Sequence, residues 1–162
     1  AYTDWIAAAR TVSSDVVITT DVIVGFPGET ERDFQATMAF VERMAFSRLH
    51  VFPFSRRPGT PAARLPDPVS SRTKASRSRA LRSLGRRLSR SYRARLAGTR
   101  QPVLWQTRDT QGRWVGLTDT YLKVYTVSDR DLHNRITTVR MPVNGWTVDV
   151  DDALWVDRQD GV

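Results

Sequence analysis

One stretch of twelve residues, Thr19–Thr30, constrains the fold more than any other part of the chain. It reads Thr-Thr-Asp-Val-Ile-Val-Gly-Phe-Pro-Gly-Glu-Thr. The β-branched run at 22–24 favours a buried strand, and the two glycines allow the backbone to turn steeply around Phe26-Pro27. Thr30 is a good N-cap for a following helix. In α/β proteins, ligands bind at strand-to-helix corners of this kind, at the carboxyl ends of the strands.

The residues around this corner predict a β-α-β unit. A helix over residues 1–10 precedes a strand over 16–24, a helix over 31–45 and a strand over 48–54. Helix and strand alternating at this length are typical of parallel sheets. Because two strands cannot make a sheet that is buried on both faces, we expect the remaining strands in a preceding part of a longer protein. The lack of an initiator Met and of a signal-peptide pattern supports the same expectation.

A long basic helix is predicted over residues 70–97, after a proline-punctuated loop over 55–69. Its apolar seam consists of Leu81, Leu84, Leu88, Tyr92 and Leu96. No acidic residue occurs between Asp67 and Asp109, and the chain carries a formal net charge of +8. We favour a phosphate backbone as the partner, because the arginine fork suits phosphate. Docking on an acidic protein surface is the alternative.

From residue 101 the apolar periodicity changes to two, which indicates strands. The five predicted strands cover 102–105, 113–117, 121–125, 136–140 and 146–150. Five short strands in about sixty residues suggest a small closed barrel of the oligonucleotide-binding kind. Its basic and aromatic side chains suit RNA binding by charge and stacking, although most of the aromatics are expected to fill the barrel core.

The chain has no cysteine and no long apolar run. It therefore cannot form disulfides, thiolate zinc sites or cysteine-ligated iron-sulfur clusters by itself. The absence of cysteine fits a reducing cytoplasm. No stretch approaches the roughly twenty apolar residues that a membrane span needs, so no membrane partner is expected.

Three segments, taken together, resemble one family. Residues 19–30 resemble the fifth-strand segment of the radical S-adenosylmethionine methylthiotransferases, and residues 46–62 resemble their sixth-strand segment. Residues 116–124, Gly-Leu-Thr-Asp-Thr-Tyr-Leu-Lys-Val, resemble the TRAM domain that follows the barrel in this family. The resemblance implies an α/β plus all-β chain: the C-terminal part of a partial (β/α)6 radical-SAM barrel, then a five-stranded, OB-like TRAM β-barrel. The implied domains are 1–66 (barrel), 67–99 (connecting helix) and 100–162 (TRAM).

The resemblance also implies a substrate and cofactors. Residues 49–55 look most like the branch that 2-methylthiolates N6-threonylcarbamoyladenosine at tRNA position 37. The isopentenyladenosine and ribosomal-protein branches are the alternatives. Such enzymes use S-adenosylmethionine and two [4Fe-4S] clusters held by an N-terminal half whose cysteines this chain lacks. The chain is thus expected to be an inactive C-terminal fragment without catalytic or metal-binding residues of its own, with tRNA and the N-terminal part of the same polypeptide as partners.

Candidate site residues are carried over from the family position by position. Ile23, Val24 and Gly25 are expected near the adenine of S-adenosylmethionine, with Phe54 as a wall from the next strand; packing in the barrel core is the alternative for the apolar ones. Thr20 and Asp21 are expected to contact the cofactor, the substrate nucleoside or a neighbouring strand. Glu29 is either a functional acid or an electrostatic cap. The expected RNA contacts are Arg57, Arg86, Arg87, Arg90, Arg113, Lys123 and Arg135.

Two other classes of function fit parts of the sequence. The basic helix and the β-rich tail could form an RNA-binding module without chemistry, or the helix could dock on an acidic protein. The Gly-Phe-Pro-Gly-Glu corner at 25–29 favours the enzyme fragment, because a pure binding module has no use for half a parallel barrel.

Overall fold

A computed structural model describes residues 2–13, 16–66, 69–150 and the backbone of 154–155. The chain divides into two compact units, residues 1–92 and residues 93–162. The boundary falls inside a helix, and the three domains predicted above stay a prediction. Within the described residues, no helix is long and apolar enough to cross a membrane.

The first unit contains the predicted β-α-β arrangement. Its elements are α1 (Tyr2–Val12), β1 (Thr19–Val24), α2 (Glu31–Met44) and β2 (Arg48–Pro53). β1 and β2 pair in parallel, with Val22 opposite Val51 and Ile23 opposite Phe52, so this prediction is confirmed. β1 begins three residues later than expected, because the segment before Thr19 makes no ladder with β2.

Local side-chain chemistry sets both ends of α2. The Thr30 hydroxyl accepts from the Asp33 backbone N–H at 3.2 Å, and the Asp33 carboxylate accepts from the Thr30 N–H at 2.9 Å. This reciprocal pair is a capping box, which satisfies two otherwise unpaired donors. At the other end, Ala45 adopts a left-handed conformation with φ 47° and closes the last turn. Ala45 was expected inside the helix, so the predicted helix is one residue too long.

The core of the first unit lies on one face of the two-stranded sheet. Val24, Val41, Phe46 and Leu81 are almost completely buried there, and Val22 packs against them. Side chains alternate along a strand, so Asp21 and Ile23 point away from this core and remain exposed. Among the described residues, helices thus cover the two strands on one face only.

The segment after β2 and most of the long basic helix also belong to the first unit. Pro61–Arg64 form a short 3-10 helix capped by Thr60, within the stretch predicted to be a loop. Helix α3 spans Ser71–Leu96, one residue shorter at each end than predicted. Four residues of the predicted seam are buried and Leu88 is partly buried, which confirms the seam.

The second unit is a five-stranded antiparallel sheet. Its strands are β3 (Arg100–Arg108), β4 (Trp114–Thr118), β5 (Lys123–Thr126), β6 (Ile136–Arg140) and β7 (Leu154–Trp155), in the order β5-β4-β3-β6-β7. Among the described residues this sheet is open, so the predicted closed barrel is not observed.

The predicted strand at 146–150 is wrong. Thr147 makes only an isolated parallel bridge with Tyr125, and the strand that pairs with β6 is 154–155. The alternation that suggested a strand is real, since Val148 and Val150 are buried. Alternating burial requires an extended chain but does not require a continuous ladder, and this is why the sequence pattern misled.

The core of the second unit is built around Trp105. Its indole N–H donates to the Thr137 hydroxyl at 2.8 Å, and both side chains are fully buried. Gly116 lies opposite Trp105 on β4. A Cβ at Gly116 would lie 2.3 Å from Val103 Cγ1 and 2.7 Å from Trp105 Cε3, so the bulky indole fits only because position 116 has no side chain.

Candidate functional site

An open cavity of about 670 Å³ lies at the carboxyl ends of β1 and β2. Residues on its wall include Asp21, Ile23, Phe26, Phe52, Phe54 and Arg57. Three large apolar side chains are unusually open to solvent here: Ile23 is 55% exposed, Phe52 49% and Phe26 44%. A contiguous exposed apolar surface of this kind marks a binding site for a ligand or another part of a protein.

Two phenylalanines, one shortly after β1 and one directly after β2, form one corner of this cavity. Phe26 and Phe54 pack edge to face, with ring centroids 5.2 Å apart and an interplanar angle of 69°. The Phe54 backbone N–H donates to the Val24 carbonyl at 2.8 Å, so the second ring is tied to the end of β1. The corner thus places two aromatic rings at the cavity, with Asp21 and Arg57 among the residues that line it.

The turn between β1 and α2 is held by Glu29. Its carboxylate accepts from the Gly25 backbone N–H at 2.7 Å and pairs with Arg77 Nη1 at 2.5 Å. A second contact joins Arg77 Nη2 to Glu31 at 3.2 Å. The Glu29 and Arg77 side chains are only 11% and 7% exposed, so Glu29 has a structural role that neither sequence-based interpretation foresaw. The glycine-rich turn gave a local signal, but the arginine lies 48 residues away.

Two acidic groups at the start of α2 have a lowered pKa. A hydrogen bond from Gln35 and then one from Arg77 lower the pKa of Glu31. The Thr30 hydroxyl and backbone N–H lower the pKa of Asp33. Both carboxylates are thus held in the charged form, which the N-terminal end of a helix favours.

The structure brings some of the predicted cofactor-binding residues together and separates others. Asp21, Ile23 and Phe54 line the cavity, and so does Arg57 from the predicted RNA contacts. Val24 lies in the core on the opposite face of the sheet. Two further predicted residues do not line the cavity: Thr20, which is half-buried, and Gly25, which is buried. Strand alternation is the reason that Ile23 and Val24 fall on different faces.

The predicted RNA contacts on α3 differ in their surroundings. Arg86 and Arg90 are exposed. Arg87 forms an ion pair with Glu42 of α2, with both side chains more than half exposed. Arg77, part of the same basic run, is buried in the turn described above. The basic run is thus divided between a solvent-facing group and an arginine that joins α3 to α2.

In the second unit, Lys123 and Arg135 are exposed, whereas Arg113 contacts Asp109 and Tyr125. Arg113 Nη2 lies 2.7 Å from Asp109 Oδ2, and its guanidinium lies 4.6 Å from the centre of the Tyr125 ring. Burial pushes the pKa of Asp109 upward, but hydrogen bonds from Arg113 and from the Gln111 backbone N–H, together with the charge of Arg113, lower the pKa below its ordinary value. Arg113 therefore also stabilises the turn between β3 and β4.

The chain offers no ligand set for an iron-sulfur cluster. It contains no cysteine, and the described residues hold no group of three or more His, Cys, Asp or Glu side chains suited to a metal ion. The apolar and aromatic cavity, by contrast, has a size and lining that fit a nucleoside-sized organic molecule.

Comparison with known proteins supplies the family. No family model matches the chain. A threonylcarbamoyladenosine tRNA methylthiotransferase (MtaB) of Thermotoga maritima is 42% identical over 121 residues, which are 75% of this chain and 28% of that protein. The Bacillus subtilis protein of the same name is 36% identical over 81% of this chain and 30% of its own length.

Relatives whose names state other substrates are similar to the chain to a comparable degree. A tRNA-2-methylthio-N(6)-dimethylallyladenosine synthase of Pelobacter propionicus is 38% identical over 86% of this chain and 32% of its own length. A ribosomal protein uS12 methylthiotransferase (RimO) of Geobacter sulfurreducens is 44% identical over 61% of this chain and 22% of its own length. The chain thus spans about three tenths or less of the relatives it matches. Over most of its own length the chain is thus a homologue of methylthiotransferases.

Proposed function

We propose that this chain is the C-terminal part of a radical S-adenosylmethionine methylthiotransferase that 2-methylthiolates N6-threonylcarbamoyladenosine at position 37 of tRNA, in the cytoplasm. The chain alone is inactive in this proposal, because the cluster cysteines belong to the preceding part of the polypeptide. Two observations support it: the similarity to methylthiotransferases, and a parallel strand pair with one uncovered apolar face.

The uncovered face is the observation that carries the proposal. Ile23 and Phe52 stand side by side on β1 and β2 and are both about half exposed. Full burial of such a side chain contributes roughly 1.5–3 kcal/mol, and each of these two half-exposed side chains forfeits part of that free energy. We infer that this face is the inner wall of a partial (β/α)6 barrel whose other strands precede this chain, and that residues 100–162 are its TRAM domain.

S-adenosylmethionine is the organic ligand we assign to the cavity. Its adenine lies against Ile23 and the Phe26–Phe54 corner in this proposal, with the backbone of Val24 and Gly25 nearby. Asp21 supplies an acceptor for a hydroxyl or amino group of the cofactor or of the substrate nucleoside, and Thr20 supports the strand from its other face. The bound cofactor supplies the radical and methyl-transfer chemistry; the residues of this chain hold and orient it.

The RNA partner is assigned from charge and exposure. Arg57 lies on the cavity, where it can contact the nucleotide that enters it. Arg86 and Arg90 on α3, and Lys123 and Arg135 in the second unit, are exposed cations suited to phosphate. Arg87 and Arg113 would share their charge between phosphate and the acidic partners they already have.

Analysis of modified nucleosides tests the proposal and its branch. The gene that encodes the full-length protein is deleted, and total tRNA is digested and analysed by liquid chromatography with mass spectrometry. We expect loss of the 2-methylthio form of threonylcarbamoyladenosine and accumulation of its unmodified form. The full-length gene should restore the product, and a gene for residues 1–162 alone should not.

The deletion cells also distinguish between the three branches of the family. Loss of the methylthio group from dimethylallyladenosine, or from ribosomal protein uS12, would assign the chain to one of the other branches. A deletion that changes none of the three products would reject the enzymatic proposal.

A non-catalytic RNA-binding module is the second candidate function. The composition of α3 favours this function, because the helix is rich in arginine and has no acidic residue from Ser71 to Leu96. It would be supported if the deletion left all methylthio groups intact while the chain bound tRNA with a steep loss of affinity at higher salt.

A further inference from the structure

The N-terminal part of α3 packs against the turn at Gly25, next to the Phe26–Phe54 corner of the cavity. A Cβ built on Gly25 would lie 2.4 Å from Lys74 Cγ, so the aliphatic stem of Lys74 lies directly against the Gly25 backbone. Gly25 also has φ 71°, a left-handed conformation that suits glycine. The close approach between helix and turn is possible only because position 25 carries no side chain.

The charged end of the same lysine reaches the aromatic corner. Lys74 Nζ lies 5.3 Å from the centre of the Phe54 ring, within the range of a cation–π interaction. Phe54 in turn packs edge to face on Phe26 at 5.2 Å. Edge-to-face packing depends on the orientation of both rings. Because Lys74 holds the Phe54 ring, it also influences the aromatic surface that Phe54 and Phe26 present to the cavity.

A second side chain on the same face of α3 anchors the other half of the turn. Arg77 follows Lys74 by three residues and therefore lies on the same side of the helix. It pairs with Glu29, whose carboxylate also accepts from the Gly25 N–H. Helix α3 thus holds the corner at two points, the ring of Phe54 and the turn at Glu29.

We propose that Lys74 is a positioning residue for ligand binding in the cavity, acting through Phe54 and Gly25. The inference rests on the assignment of S-adenosylmethionine to this cavity under the proposed function. Lys74 itself is not on the cavity wall among the described residues, so its effect passes through the ring that it holds.

Binding of S-adenosylhomocysteine to the full-length protein, measured by isothermal titration calorimetry, tests the inference. Lys74→Met keeps the apolar stem and removes the charge; we expect the Kd to rise about fivefold, the equivalent of one cation–π interaction. Lys74→Arg keeps a cation over the ring and should bind within about twofold of the parent. Arg79→Met, an exposed position on the same helix, is the matched control and should leave the Kd unchanged.

Phe54→Leu distinguishes failure of this inference from failure of the proposed cavity. If Phe54→Leu weakens binding and Lys74→Met does not, the inference is wrong and the cavity assignment stands. If Phe54→Leu binds S-adenosylhomocysteine with the Kd of the parent, the cavity assignment is wrong, and so is the proposed role of Lys74. The melting temperature of each variant is measured as well. The inference is also wrong if Arg79→Met raises the Kd as much as Lys74→Met does. It is equally wrong if Lys74→Arg keeps the parent's melting temperature but does not restore the parent's Kd.

Discussion

The Arg77 guanidinium meets the Glu29 carboxylate at 2.5 Å in a nearly buried ion pair that joins the middle of the chain to the turn after its first strand. Taking both charges out of water is costly, and the pair stabilises the fold only while both partners are present. The same carboxylate accepts from the Gly25 N–H, so the pair also determines the course of the turn beside the cavity.

Arg77→Met should be strongly destabilising. It leaves Glu29 buried without its cation, which typically costs about 3–5 kcal/mol of unfolding free energy. Urea unfolding of the 162-residue chain measures the loss. Arg79→Met removes an exposed arginine from the same helix and should stay within about 0.5 kcal/mol of the parent; equal effects of the two variants would contradict the importance of the buried pair.

Gly116→Ala should destabilise the second unit. The added methyl would lie 2.3 Å from Val103 Cγ1 and 2.7 Å from the Trp105 ring, and overpacking of this kind costs about 1–3 kcal/mol or more. The midpoint of urea unfolding, followed by tryptophan fluorescence, measures it. Gln106→Ala, at an exposed neighbouring position of β3, is the control; an unchanged midpoint in Gly116→Ala would mean that the Trp105 side chain can move aside at little cost.

Thr137→Val should destabilise through a lost hydrogen bond. Valine has nearly the shape of threonine but cannot accept from the buried indole N–H of Trp105. An unsatisfied buried donor costs about 1–3 kcal/mol. Thr137→Ser keeps the hydroxyl, so it should recover the hydrogen-bond contribution and lose only the small contribution of one methyl group. A valine variant as stable as the serine variant would show that the indole finds another partner.

The capping box predicts a pH dependence. The pKa of Asp33 is lowered in the folded state by the Thr30 hydroxyl, so its stabilising contribution is complete above the unfolded pKa and is lost as the pH falls through the folded pKa. Asp33→Ala should therefore be less stable than the parent at neutral pH, and the difference should shrink in acid. Urea unfolding across the acid range measures it, and a difference that does not change with pH would contradict the assignment.

The exposed arginines of α3 predict a change in salt dependence. If Arg86 and Arg90 contact phosphate, the double substitution to Met should lower affinity for tRNA and reduce the slope of log K against log salt by roughly 0.7–0.9 for each lost contact. Filter binding or fluorescence anisotropy over a range of salt concentrations measures the slope. Arg77 is buried and is not a suitable comparison. The double substitution Arg32→Met with Arg43→Met, at exposed positions of α2, is the control of equal charge change, and an equal loss of slope there would indicate a non-specific charge effect.

Local patterns were sufficient for the β-α-β unit. The β-branched run before Gly25 and the N-cap residue Thr30 act over a few residues, and the structure contains the strand and the helix that they predict. Strand alternation also puts Ile23 and Val24 on opposite faces of β1, but which face is exposed depends on the helices that pack against the sheet. The strand, the N-cap and the alternation depend on backbone sterics and on neighbours within about four residues, which any sequence displays directly.

Long-range contacts decided the rest. Which arginine of α3 is buried depends on where α3 meets the Glu29 turn, so Arg77 and Arg86 look alike in sequence and differ in the fold. The segment at 146–150 alternates like a strand, but its ladder partners are set by the approach of distant strands, and only one bridge forms. The sequence by itself determined the two strands and the capped helix between them, because strand patterning and helix capping depend on local interactions. The tertiary structure alone decided which charges are buried and which side chains share the cavity, because the free energy of burying a charge or a ring depends on partners that lie far away along the chain.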